Sequence, residues 1–163
     1  MSIEKVRAYF KEFGLDGRIQ EFPVSSATVE LAAQALGVEG ARIAKTLSFR
    51  LGERILLIVC AGDAKVDNRR YKDTFGGKAS MLSHDEAASL VGHAVGGVCP
   101  FAVNPGVEVY LDVSMKRFQT VFPAAGSSNS AIEMTMEELE KYSRCLKWVD
   151  VCKAWRPEEQ QAQ

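Results

Sequence analysis

With 163 residues, 47% of them hydrophobic and 25% charged, the chain suffices for one domain that buries about 70% of its unfolded surface, so no disulfide or metal is needed to hold a core. A formal net charge of −1 excludes a molecule-wide attraction for nucleic acid and leaves any such contact to a local patch. The apolar run at residues 55–61 is strand-sized, too short for a membrane span, and a cytoplasmic protein with no membrane contact is expected.

Ile3, Val6, Phe10 and Phe13 recur at spacings of three and four ahead of Gly14, the pattern of an amphipathic helix with a glycine stop. Residues 18–22 are a short strand candidate ended by Pro23. Ser25, Ser26 and Thr28 supply hydroxyls at a helix start, and the helix runs from Val29 to Leu36 before Gly37. Leu47, Phe49 and Leu51 then alternate with polar residues. Gly52-Glu53 suits a two-residue hairpin turn, and residues 55–59 continue as a buried strand closed by Gly62-Asp63.

Asp67 is a predicted N-cap, with Val66 and Tyr71 as its hydrophobic staple. Ser83 with Glu86, and Thr135 with Glu138, are predicted capping boxes. Strands are predicted at 78–82, 107–111, 120–122 and 130–134. Residues 1–153 are read as one domain, and residues 154–163, rich in Glu and Gln, as a disordered tail. Strands and helices mix without a regular βαβ alternation. That favours an α/β chain of the α+β type, with a mixed or mostly antiparallel sheet, over a doubly wound fold.

The stretch Gly96-Gly97-Val98-Cys99-Pro100-Phe101 carries the strongest chemical hint. Two glycines permit positive φ and close approach of a ligand to bare amides, while Pro100 fixes the exit direction and keeps Cys99 out of helical geometry. Such a loop can donate backbone N–H groups to a carbonyl or a developing oxyanion; it is equally an ordinary turn between a helix and a strand. Lys45 is either a solvated strand-edge lysine or a compact charge for a phosphate or carboxylate. Residues 125–130 form a second loop of small residues, able to cradle a phosphate or simply to join two strands. Without a P-loop lysine or a GxGxxG pattern, a nucleoside triphosphate or dinucleotide is disfavoured.

Cys99 would need a lowered pKa and a neighbouring base to act as a nucleophile. Nothing in the spacing sets His93 or His84 against it, so a small buried thiol is preferred. Four cysteines without a CxxC pair, and two histidines, argue against a zinc site. Arg69, Arg70 and Lys72, with Lys65 just before, form a basic cluster suited to a nucleic-acid end or to a solvated helix face.

In this order the pieces resemble the YbaK/EbsC family, also called the prolyl-tRNA synthetase editing-domain family. The matching residues are Ser26-Ala27-Thr28, Ala44-Lys45-Thr46-Leu47, Ala61-Gly62-Asp63, Val66-Asp67, the run from Gly92 to Phe101, Asp112, and Ala125-Gly126-Ser127. The likeness covers roughly residues 20–142. It implies a mixed α/β domain with a strongly curved, barrel-like sheet surrounded by helices. It also implies a free-standing aminoacyl-tRNA deacylase, acting on misacylated tRNA and associated with prolyl-tRNA synthetase, without cofactor or metal. The family likeness makes Lys45 a residue near the terminal adenosine, and Gly96, Gly97 and Pro100 the shapers of the site around the ester. Gly126 and Ser127 would close the other side, Thr28 and Asp112 would line or support the pocket with Cys99 and Phe101, and Lys65, Arg69, Arg70 and Lys72 would meet the tRNA. The family is thought to use the substrate's ribose hydroxyl and a positioned water rather than a triad. Where some members carry a second glycine, this chain has Asn129, a residue that tolerates left-handed geometry.

The chain is thus expected to hydrolyse misacylated tRNA, most plainly the proline acceptor carrying a wrong small amino acid. The alternatives are a non-catalytic module that binds an aminoacyl-nucleotide or RNA end, and a cysteine-dependent hydrolase of small esters.

Overall fold

The computed structural model describes residues 2–94 and 96–158. Among the described residues, ten strands and five α-helices alternate irregularly. Helix α1 (Ser2–Lys11) precedes the two-residue strand β1 (Gln20–Glu21) and helix α2 (Val29–Leu36). The hairpin β2 (Ile43–Leu51) and β3 (Arg54–Ala61) leads to β4 (Lys65–Val66), α3 (Asn68–Phe75) and α4 (His84–Glu86). Then come β5 (Glu108–Asp112), β6 (Thr120–Pro123), β7 (Ser130–Ala131), β8 (Met134–Thr135), α5 (Met136–Ser143), β9 (Lys147–Val149) and β10 (Cys152–Lys153).

The helices begin where the sequence places their caps. The Thr28 hydroxyl accepts from Leu31 N–H, the Asp67 carboxylate accepts from Arg69 and Arg70 N–H, and both capping boxes are formed. The hairpin closes as expected too: Leu51 pairs with Arg54, and Gly52 takes the left-handed conformation that the two-residue turn requires. After α4 the chain makes a π-helical turn at Ala87–Val91 instead of extending the α-helix.

Six strands form one curled sheet in the order β8-β6-β2-β3-β5-β9, a half-barrel. It is mixed. β2 with β3 and β6 with β8 are antiparallel, while β2 with β6, β3 with β5 and β5 with β9 are parallel. β3 is the central strand, fully buried from Leu56 to Ala61, as a strand covered on both faces must be. Phe10 of α1 packs edge-on to Phe101 at 4.8 Å, and Tyr71 of α3 lies against Phe49, so one core runs through the curl.

Three strand expectations change. Residues 78–82 contribute one bridge, Phe49 to Met81, rather than a strand. Residues 18–22 contribute only Gln20–Glu21. Residues 130–134 split, with β7 pairing β1 and β8 pairing β6. Of the expected tail, residues 159–163 lie outside the described residues. Within its described part, Trp155 packs at the edge of the core and Arg156 pairs with Asp150 at 2.8 Å. Among the described residues no helix is long and apolar enough to cross a membrane.

Candidate active site

A split in the sheet makes the site. One edge of β2 is paired to β3 from Ala44 to Leu51 without interruption. On the other edge β6 reaches only Ile43 and Ala44. The chain after α3 then returns to the same edge further along. Arg50 N–H donates to the Ser80 carbonyl at 2.8 Å, and Leu82 N–H to the Ser48 carbonyl at 3.1 Å. Between these two neighbours the edge is open across Lys45, Thr46 and Leu47, and a cavity of about 760 Å³ fills the gap.

The cavity wall comes from six segments. The start of α2 gives Ser26 to Val29 and Ala32, β2 gives Ile43 to Ser48, and the returning chain gives Met81 to His84 and Ala87. Gly96 and Val98 form one side; Phe122, Ala124, Ser130 and Ala131 form the other. The wall is mostly apolar with a few polar groups, the usual make-up of a small-molecule site.

Lys45 is the cation of this wall. It is half-buried, and its Nζ donates to the Gly62 carbonyl at 3.4 Å. Among the described residues no carboxylate lies within ion-pair distance of it. An ammonium has three donors, so capacity remains for an anionic or carbonyl-bearing ligand. The Gly62 carbonyl is itself fixed from behind. A Cβ there would strike the Gly40 carbonyl oxygen and come within 2.8 Å of Val29, so Gly62 is pressed onto the neighbouring turn and α2. Ala61 N–H donates to Ser114 Oγ at 3.1 Å, and Ser114 N–H to Asp112 at 2.9 Å. The other oxygen of Asp112 accepts from Val151 N–H at 2.9 Å. Asp112 is fully buried and off the cavity wall, where it ties the end of β3 to the chain below.

The two glycine loops meet. A Cβ on Gly97 would lie 2.7 Å from the Gly126 carbonyl carbon and from Ser127 N, so backbone packs directly on backbone. Gly126, with φ +97°, is in turn pressed onto the Ser2 carbonyl of α1. Gly97 N–H donates to the Ala94 carbonyl at 3.0 Å, so that amide is already used. Gly96 and Val98 are the members of the loop that reach the cavity. Gly97, Pro100 and Phe101 are buried beneath it, and Gly126 and Ser127 lie off the wall. The 126–130 loop is clamped to the approach to α2, with Ser26 N–H donating to the Ser128 carbonyl at 2.7 Å. Asn129 has no left-handed backbone. Its side chain donates to the Phe22 carbonyl at 3.0 Å and accepts from Ser127 Oγ at 2.9 Å, away from the cavity.

His93 does approach Cys99, which the spacing did not show: Nε2 and Sγ are 3.6 Å apart, both side chains fully buried. Nε2 also sits 2.7 Å from the Phe101 carbonyl, so it carries the proton and donates there. It therefore offers the thiol no lone pair, and Nδ1 has no partner among the described residues. Burial holds His93 below its ordinary pKa and pushes the Cys99 thiol up to about 12. This is the reverse of an activated thiolate. The basic cluster stands apart from the cavity wall. Lys65, Arg69 and Lys72 are exposed, and Arg70 pairs with Asp150 at 3.2 Å. Sequence reasoning missed Met81, Ser83 and His84. The capping box at Ser83 was readable, but its position on the rim depends on the Phe49–Met81 bridge.

Comparison with known proteins agrees with this fold. The chain is 55% identical to the uncharacterised protein YwhH of Bacillus subtilis (strain 168) over 156 residues, 95% of this chain and 99% of that one. Over 85 residues, 52% of this chain, it is 26% identical to a proline–tRNA ligase of Bacillus cereus (strain AH820), of which it covers only 15%. A solved structure described as a candidate trans-editing enzyme for prolyl tRNA synthetase superposes with a TM-score of 0.84 at 27% identity, covering 93% of this chain and 97% of that one. The hypothetical protein APE2540 superposes at 0.81, also at 27% identity, over 91% of this chain and 99% of its own. The model of the aminoacyl-tRNA editing domain matches residues 24–142, a span that contains the open edge of β2 and both glycine loops. The chain belongs to the aminoacyl-tRNA editing domain family.

Proposed function

We propose that this protein hydrolyses the ester of misacylated tRNA, with the proline acceptor carrying a wrong small amino acid as its substrate and prolyl-tRNA synthetase as the enzyme whose errors it clears. The observation that carries this is Lys45, a half-buried ammonium without a carboxylate partner among the described residues, on the wall of a largely apolar cavity. Thr28 and Gly96 share that wall, Gly97, Gly126, Ser127 and Asp112 hold it from behind, and Pro100 is buried in the same loop. Exposed Lys65, Arg69 and Lys72 offer charges to the tRNA backbone.

An aminoacyl ester is already activated, so positioning and carbonyl polarisation suffice for its hydrolysis. Lys45 binds the anionic or oxygen-rich terminal nucleotide. A water held by the substrate's own ribose hydroxyl adds to the ester carbonyl carbon. The carbon–oxygen bond to the ribose then breaks, and the ribose oxygen leaves with a proton. Free amino acid and uncharged tRNA result.

The test is incubation at micromolar enzyme with proline-acceptor tRNA charged with Ala, Cys or Ser. Release of amino acid above the buffer rate is expected for at least one; release of none would leave a binding module instead. Cys99→Ala is expected to retain activity within about threefold of the parent, because the buried thiol has no base and no path to the ester. A folded but inactive Cys99→Ala protein would bring back thiol catalysis.

A further inference from the structure

The open edge of β2 presents hydrogen-bonding groups that the protein leaves unmatched. On a strand, the N–H and C=O of one residue point to the same edge, and successive residues alternate. Ser48 C=O and Arg50 N–H point away from β3, since Leu82 and Ser80 take them. The β2–β3 register runs unbroken from Ala44 to Leu51, so Thr46 points the same way as Ser48 and Arg50. Its N–H and C=O therefore face the gap between β6 and the returning chain, where Thr46 lines the cavity. Among the described residues neither group has a backbone partner on that edge. A backbone donor and acceptor left open side by side in a cavity wall mark a place where a polar ligand can pair.

A donor and an acceptor from one residue, side by side on a free strand edge, match a ligand that carries an amino group and a carbonyl on one carbon. An aminoacyl ester is such a molecule. We propose that the aminoacyl group docks as a single added strand residue at Thr46, its α-amino group donating to the Thr46 carbonyl and its ester carbonyl accepting from the Thr46 N–H. The proposal rests on the deacylase function above and specifies how that site holds its substrate. The ester carbonyl is then polarised by a strand amide that forms no other bond. The substrate side chain stands on the same side of the sheet as the Thr46 hydroxyl, because paired residues on adjacent strands share a face. The Gly97 amide cannot take this part, since it donates to Ala94.

The test compares the parent enzyme on one tRNA bearing alanyl, lactyl or propionyl esters, each rate divided by that ester's spontaneous hydrolysis. Lactyl keeps a donor at the α-carbon and propionyl has none. Rate enhancement for propionyl is expected to be about 10- to 100-fold below that for alanyl, with lactyl between them. A crystal soaked with 3′-alanylamino-3′-deoxyadenosine is expected to show the alanyl nitrogen within hydrogen-bond distance of the Thr46 carbonyl oxygen. Equal enhancement for propionyl and alanyl, or an alanyl nitrogen bound elsewhere, would overturn the docking mode while leaving the deacylase standing. Failure to hydrolyse any of the three, or any misacylated tRNA, would instead overturn the deacylase, and the docking mode with it.

Discussion

Lys45→Ala is expected to lower the deacylation rate by about 100-fold or more while leaving the fold intact. The size follows from what the ammonium lacks. In the free protein it makes one long bond, to the Gly62 carbonyl, and no ion pair among the described residues. Removing it therefore breaks little that stabilises the native state, and the melting temperature should barely change. With substrate bound, the same group is the cation on the cavity wall, and its remaining donors have an oxygen-rich ligand to meet. The loss should appear in single-turnover rates on misacylated tRNA. Lys45→Arg should not restore activity. A guanidinium is longer and planar, and the Gly62 carbonyl is held rigidly by Gly40, Val29 and the Ser114–Asp112 bonds, so it cannot shift to receive the larger head. Activity of Lys45→Ala within threefold of the parent would remove Lys45 from the site.

How much of this was readable beforehand depends on the range of the interactions involved. The caps at Thr28, Asp67, Ser83 and Thr135 are local, each bonding within three residues, and all four stand as expected. The β2–β3 hairpin is also local, joined by two residues. The parallel partners of the main sheet, and the separate antiparallel pair β4–β10, are not. β9 and β10 were not foreseen, because Lys147–Val149 and Cys152–Lys153 are too short to show a period and become strands only where β5 and β4 offer an edge. Residues 130–134 read as one strand from their composition, yet two different partners claim the two ends.

The same distinction separates the site residues. Lys45 and Gly96 could be picked out by residue type and surroundings, and Thr28 through the family resemblance; the three do share a wall. That β2 would be left open beside Lys45 could not be seen, since it depends on where β6 departs and where Met81 returns. Nor could the convergence of His93 and Cys99 on the Phe101 carbonyl. It goes with positive φ at Gly92 and Gly96, a backbone conformation whose tertiary consequence no spacing rule shows. The preference for Cys99 as a small buried thiol, by contrast, holds: the fold places it in the core with a raised pKa.

Gly97→Ala should be damaging although the substitution adds one carbon and the φ of Gly97 is not in the left-handed region. The added Cβ would sit 2.7 Å from both the Gly126 carbonyl carbon and Ser127 N, and 2.8 Å from the Gly126 oxygen. These are backbone atoms of a loop that cannot retreat. Gly126 is itself pressed on the Ser2 carbonyl, and Ser128 is bonded to Ser26 at the entrance to α2. Overpacking against such a stop costs about 2 kcal/mol, or about 4–8 °C in melting temperature for a chain of this size. Because Gly96 and Ser130 flank the colliding atoms and line the cavity, deacylation should fall by about tenfold or more even at temperatures where the variant is fully folded. Gly17→Ala supplies the contrast. No atom lies within 4 Å of the Cβ it would add, and its φ is likewise outside the left-handed region, so both melting temperature and activity should stay at the parent values. If Gly97→Ala melts with the parent and deacylates at the parent rate, then the meeting of the two glycine loops does not shape the site, and Gly96 and Val98 carry that side of the cavity without it.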